Sequence, residues 1–230
     1  MERNLIMNSL EFNDARREQK GILAKCESRA LGWMASQLPD QINSDHLTGL
    51  GILAMAAAGA AYALSGTYSW YLHLVNFCLF LNWVGDSLDG TVARYRNRLR
   101  PRYGFYVDHI LDTFSVSFLL GGLALSGFMN VHVAGSLLIV YFMLSINVYI
   151  ATYTMGTFKI SFVKLSPTEL RLLLAFGNLV LLYRPTIQLF GKSYLLFDVG
   201  GAVAAVLMLV ILIASTARNI HVLYNLERLP

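Results

Sequence analysis

The chain has 230 residues, 56% of them hydrophobic and only 14% charged, with a mean hydropathy of +0.52. These proportions exclude an ordinary soluble domain and predict one all-α integral membrane domain. The net charge of +4 is no argument for nucleic acid, because the positive residues cluster between apolar runs, where membrane topology accounts for them.

Residues 1–45 form a mixed-charge segment ahead of a membrane domain at 46–230. From Glu11 to Leu38 a helical period emerges, with Ile22, Leu23, Cys26, Ala30, Trp33 and Met34 leaning to one side. Arg16, Arg17, Lys20, Lys25 and Arg29 lie mostly elsewhere, which predicts an amphipathic helix on the cytosolic membrane surface. A solvated tail is the plainer alternative. Pro39 ends the segment. The first forty residues are too polar for a secretory signal peptide, so the first span is expected to serve as its own insertion signal.

Six spans are predicted. Span one, Leu47–Leu64, is rich in glycine and alanine, so neighbours can approach it closely. Ser44 or Asp45 is expected to cap it. Span two runs from Ser69 to Gly85, with Trp70, Tyr71 and Trp83 as interfacial aromatics, and it delivers Asp86 and Asp89. Span three, Phe105–Ser126, carries Asp108 and Asp112 in its first two turns. Spans four to six follow at Val131–Tyr153, Thr168–Phe190 and Leu195–Ala217.

Lys and Arg set the orientation. Six lie before span one, five between spans two and three, and Lys159, Lys164, Arg171, Arg218 and Arg228 fall on that same side. Only Arg184 and Lys192 fall opposite. Sixteen against two predicts cytosolic termini and a cytosolic aspartate site. Cys26 and Cys78 form no CxxC spacing and no disulfide framework.

The chemistry concentrates between Asp86 and Asp112, in DSLDGTVARYRNRLRPRYGFYVDHILD. Downstream of His46 there are seven acidic residues, and four of them lie here. Carboxylates at the end of a membrane helix are costly and mark a functional site by default. Asp86 and Asp89 are i,i+3, and Asp108 and Asp112 are i,i+4, so each pair projects from one helix face. A short basic loop joining the pairs would gather oxygen ligands for a hard divalent cation, which suits Mg²⁺ or Mn²⁺ better than zinc. The plainer alternative is two Asp–Arg ion pairs closing a cytosolic loop.

At these residues the chain resembles the CDP-alcohol phosphotransferase family. The pattern D-x2-D-G-x2-A-R-x9-G-x3-D-x3-D is filled at Asp86, Asp89, Gly90, Ala93, Arg94, Gly104, Asp108 and Asp112. One departure is the arginine-to-glycine gap, nine residues here where eight is commoner, an addition that a loop absorbs. The resemblance implies transfer of a substituted phosphate from a CDP-alcohol to an acceptor alcohol, with release of CMP. It implies metal contact by Asp86, Asp89, Asp108 and Asp112, a two-metal centre, and Asp112 as general base. Gly90 and Ala93 would leave room for the nucleotide, Arg94 would hold phosphate oxygens in its planar fork, and Gly104 is assigned to the CDP site indirectly, as a packing glycine that lets spans two and three approach. Thr48 loosely matches a family position at the start of the first helix and is assigned to the CDP site.

The acceptor is less defined. Arg102, Lys159 and Lys164 are candidates for a lipid phosphate, although positive-inside anchoring explains most of the basic loop. Glu169, in TELR, resembles an acidic residue of the choline- and ethanolamine-phosphotransferase members, yet Ser166-Pro167-Thr168-Glu169 also reads as a helix-capping box. His109 is expected to be structural. TELR leans towards CDP-choline or CDP-ethanolamine donating to diacylglycerol. The basic face leans towards CDP-diacylglycerol donating to a small polar alcohol. A homodimer is left open, and the expected location is a bacterial inner membrane. The competing class is a divalent-cation transporter using the same aspartates. It would usually place them near the midplane of two related halves, which this sequence lacks.

Overall fold

The computed structural model describes residues 24–155 and 167–227. Within them lie helices α1 (Ala24–Gln37), α2 (Ser44–Ser65), α3 (Tyr71–Tyr95), α4 (Pro101–Leu125), α5 (Val131–Met155), α6 (Pro167–Leu181) and α7 (Leu196–Leu226). A two-stranded antiparallel hairpin, β1 (Thr186–Leu189) and β2 (Lys192–Leu195), joins α6 to α7. The expected helix start at Glu11, the Ser166 cap, Lys159, Lys164 and Arg228 lie outside the described residues. Four helices, α2, α4, α5 and α7, are long and apolar enough to cross a membrane. The described part of the chain is therefore a helical membrane-type fold.

Helices α2, α3 and α4 pack around backbone contacts that only glycine allows. A Cβ on Gly85 would lie 2.6 Å from the Leu47 carbonyl oxygen and 2.8 Å from Gly51 N, so α3 touches α2 one residue before Asp86. Further along α2, a Cβ on Gly122 would lie 2.0 Å from the Gly59 carbonyl oxygen, which sets the α2–α4 crossing. The glycines and alanines buried on α2 are Gly51, Ala54, Ala58, Gly59 and Ala61. They form the face that receives both partners. Gly104 differs from expectation: open space surrounds the position of its Cβ, so it makes no such contact.

The main apolar core lies at the end away from the aspartates and includes Tyr62, Leu72, Val75, Leu79, Leu123 and Phe197. Within it Tyr62 Oη donates to Asn178 Oδ1 at 2.7 Å, and Asn178 Nδ2 donates to Asn76 Oδ1 at 2.7 Å. This satisfied polar chain fixes α6 against α2 and α3. A smaller cluster at the aspartate end comprises Leu31, Ala35, Leu47, Leu88 and Val92.

Several boundaries move from their expected places. Helix α3 continues ten residues past Gly85, so Asp86, Asp89 and Arg94 are all helical. The loop to α4 is then only residues 96–100, and Asn97 takes φ +53° in it, a left-handed conformation asparagine tolerates. Pro101 opens α4 at a position where its missing N–H is harmless. Asp108 and Asp112 accordingly sit about two and three turns inside α4 rather than in its first two. Asn43, not Ser44 or Asp45, caps α2, accepting from His46 N at 3.1 Å. Helix α6 stops at Leu181, short of the expected Phe190, and Phe190 with Gly191 makes the hairpin turn with φ positive at both residues.

Helix α1 packs on α3 through Leu31 and Ala35 and turns Ala30 and Trp33 outward, with Trp33 67% exposed. Of the expected apolar side, Met34 packs against this cluster, whereas Ala30 and Trp33 do not. Glu27 Oε1 on α1 accepts from Trp83 Nε1 at 2.9 Å and from Thr168 Oγ1 at 2.9 Å. Trp83 therefore docks α1 and is no simple interfacial aromatic, and Glu27 ties α1, α3 and the first turn of α6 together.

Candidate functional site

One cleft is bordered by Thr48, Gly51 and Ile52 of α2, by Asn82, Asp86 and Asp89 of α3, and by Asp108, Leu111, Asp112 and Ser115 of α4. All four signature aspartates line it. They meet because α3 and α4 both pack on α2, α3 through Gly85 against Leu47 and Gly51, and α4 through Gly122 against Gly59. Asp89 is buried at 8% exposure, Asp86 and Asp108 are half-buried, and Asp112 is exposed. Burial therefore grades from Asp89, deep between α2 and α3, to Asp112 at the open side.

The carboxylates are held by neighbours. Thr48 Oγ1 donates to Asp89 Oδ2 at 2.8 Å, and Gly90 N donates to Asp89 Oδ1. Asp86 Oδ2 accepts from Arg171 Nη2 at 2.7 Å. Arg171 Nε donates to Asn82 Oδ1 at 2.8 Å, and Asn82 Nδ2 donates to the Gly51 carbonyl at 3.0 Å. One polar chain thus runs from α2 through α3 to α6 and ends on a site carboxylate. In the sequence Arg171 is only one more charge on the expected cytosolic side. Nothing in the spacing showed that it reaches Asp86, 85 positions away.

The remaining candidates divide. Gly90 has open space beside it, bounded only by the Arg94 guanidinium at 3.8 Å from the position of a Cβ. Arg94 is exposed, with Nη2 3.4 Å from Thr91 Oγ1. Ala93 is half-buried on the same helix. Arg96 and Arg100 are structural: Arg96 donates to the Leu38 and Pro39 carbonyls at 2.9 Å, and Arg100 pairs with Asp45. Arg102 is exposed at the start of α4, and neither it nor Glu169 borders the cleft. His109 lies against its own helix, with Nδ1 2.6 Å from the Phe105 carbonyl and its ring on Tyr149.

The donor set fits a hard divalent cation in kind: four carboxylates border one cleft, with no nitrogen or sulfur ligand among its lining residues. Gathering carboxylates where water is partly excluded is unfavourable unless positive charge compensates them. Among the described residues no three His, Cys, Asp or Glu side chains already converge on one point. Asp86 and Asp89 instead turn to Arg171 and Thr48.

No protein-family model matches the chain, and no curated protein sequence matches it. The functional reading therefore stands on the residues themselves.

Proposed function

We propose that the chain is a metal-dependent CDP-alcohol phosphotransferase of membrane lipid synthesis, transferring a substituted phosphate from a CDP-alcohol to an acceptor alcohol. The observation that carries this is the meeting of Asp86, Asp89, Asp108 and Asp112 in one cleft, beside the space left open at Gly90. Those four carboxylates and that gap are what such a transfer would use.

In this reading Asp86, Asp89 and Asp108 are the ligands of Mg²⁺ or Mn²⁺, with Asp112 contributing to a two-metal centre. Bound there, the ions would offset the pyrophosphate charge and stabilise the departing oxygen of CMP. Thr48 fixes the Asp89 carboxylate, and Arg94 holds phosphate oxygens over the gap at Gly90 and Ala93. Asp112 takes the proton from the acceptor hydroxyl as its oxygen bonds to the β-phosphorus and the bond to the CMP oxygen breaks. Its exposed position suits a hydroxyl arriving from outside the cleft, while the buried Asp89 marks the closed side.

The sixteen-to-two distribution of Lys and Arg supports six spans, with α3 and α6 completing the set, both termini cytosolic and α1 on the membrane surface. The outward Trp33 agrees with that position for α1. The testing experiment is CMP release by purified protein. Donors would be CDP-diacylglycerol, CDP-choline and CDP-ethanolamine, each with diacylglycerol and small polar alcohols as acceptors. Release with one donor–acceptor pair supports the proposal and names the substrates. Cation flux into vesicles without CMP release would favour a transporter instead.

A further inference from the structure

Arg171 has no step in the transfer described above, yet it is bonded to one of the four cleft carboxylates. We infer that Arg171 is a resident counter-cation of the aspartate cleft, holding Asp86 when no divalent cation is bound and competing with that cation for it. The inference rests on the reading of the aspartates as cation ligands.

Three features set this pair apart from a surface ion pair, which contributes little. The Arg171 side chain is only 16% exposed and that of Asp86 33%. The guanidinium is fixed at two points, Nη2 on Asp86 and Nε on Asn82. Asn82 is itself buried and anchored to Gly51, so α2 and α3 determine where the positive charge sits. That charge offsets the mutual repulsion of carboxylates around the cleft. A dication drawn to the same oxygens meets a like charge and a ligand already engaged. Thr168, three residues earlier on α6, is tied to Glu27, so the first turn of the helix is held while the Arg171 side chain turns away.

Competition has a signature that a structural role lacks, because removing the arginine should strengthen metal binding while weakening the metal-free fold. The test is Mn²⁺ titration of the purified full-length protein in detergent, followed by the paramagnetic resonance signal of free Mn²⁺, with Asp86→Asn as a weakened reference. Thermal midpoints are recorded without metal. Arg171→Gln should lower the Mn²⁺ concentration for half-saturation on the order of tenfold and lower the metal-free midpoint. Arg171→Lys keeps the charge but loses the hold on Asn82, so its affinity should fall between wild type and Arg171→Gln. Tighter binding in Arg171→Lys than in wild type tests the inference even where Arg171→Gln fails to fold. Any other order overturns it. Wild-type protein that binds no Mn²⁺ would overturn the cation reading together with this inference, whereas wild-type binding left unchanged in both Arg171 variants would overturn this inference alone.

Discussion

Gly85→Ala should separate the site from the fold most sharply. The added methyl would meet the Leu47 carbonyl at 2.6 Å and Gly51 N at 2.8 Å, both backbone atoms that no rotamer change can move. Ordinary contact begins at 3.4 Å, so α3 and α2 must part by about 0.8 Å at the residue preceding Asp86. Overpacking of this kind costs about 1–3 kcal/mol of stability. A displacement near 1 Å at a reacting site lowers turnover by roughly 10²-fold, because Thr48 on α2 would no longer seat Asp89 on α3. Gly122→Ala is the control. Its methyl clashes with the Gly59 carbonyl at 2.0 Å, about 15 Å of helix beyond Asp112 at 1.5 Å per residue. Both variants should lose thermal stability in detergent, and only Gly85→Ala should lose CMP release per folded molecule by that larger factor. Wild-type turnover per folded molecule in Gly85→Ala would refute the argument that the α2–α3 contact sets the site.

Asp112→Asn keeps size and packing but removes the proton acceptor, so turnover should fall on the order of 10²–10⁴-fold with donor binding largely retained at saturating Mg²⁺. Near-normal turnover would reject Asp112 as the base. Thr48→Val retains shape but withdraws a hydroxyl from a buried carboxylate, a loss of about 1.5–3 kcal/mol for a hydrogen bond to a charged group. Its thermal midpoint should drop, and an unchanged midpoint would show that the Thr48–Asp89 bond contributes nothing. Tags at residues 1 and 230 should both be cytosolic and a reporter at Gly191 outside. Termini on opposite faces would rule out six spans.

Helix periodicity was the legible part of this chain. Long apolar runs located α2, α4, α5 and α7, and the i,i+3 and i,i+4 spacings put each aspartate pair on one helix face. The meeting of the two pairs in one cleft depends on α2 receiving both helices, at Gly85 and at Gly122, and those roles are invisible until α2 lies beside them. Gly104, inside the signature itself, looked the better packing glycine and has nothing against it. The hairpin was illegible because its strands have four residues each and its turn is Phe-Gly, without the Asn-Gly or Asp-Gly signal. Arg171 and Glu27 act across α3 and α6 from far along the chain, and one sequence has no mark that tells such a partner from an ordinary surface charge.

The central claim is that four carboxylates serve a cation that serves a pyrophosphate. Its most direct measurement is CMP release by the purified protein after exhaustive chelation, and again after adding Mg²⁺ or Mn²⁺. The account predicts no release in chelator, recovery with either ion, and little recovery in Asp86→Asn, Asp89→Asn or Asp108→Asn. Full turnover in strong chelator would contradict it.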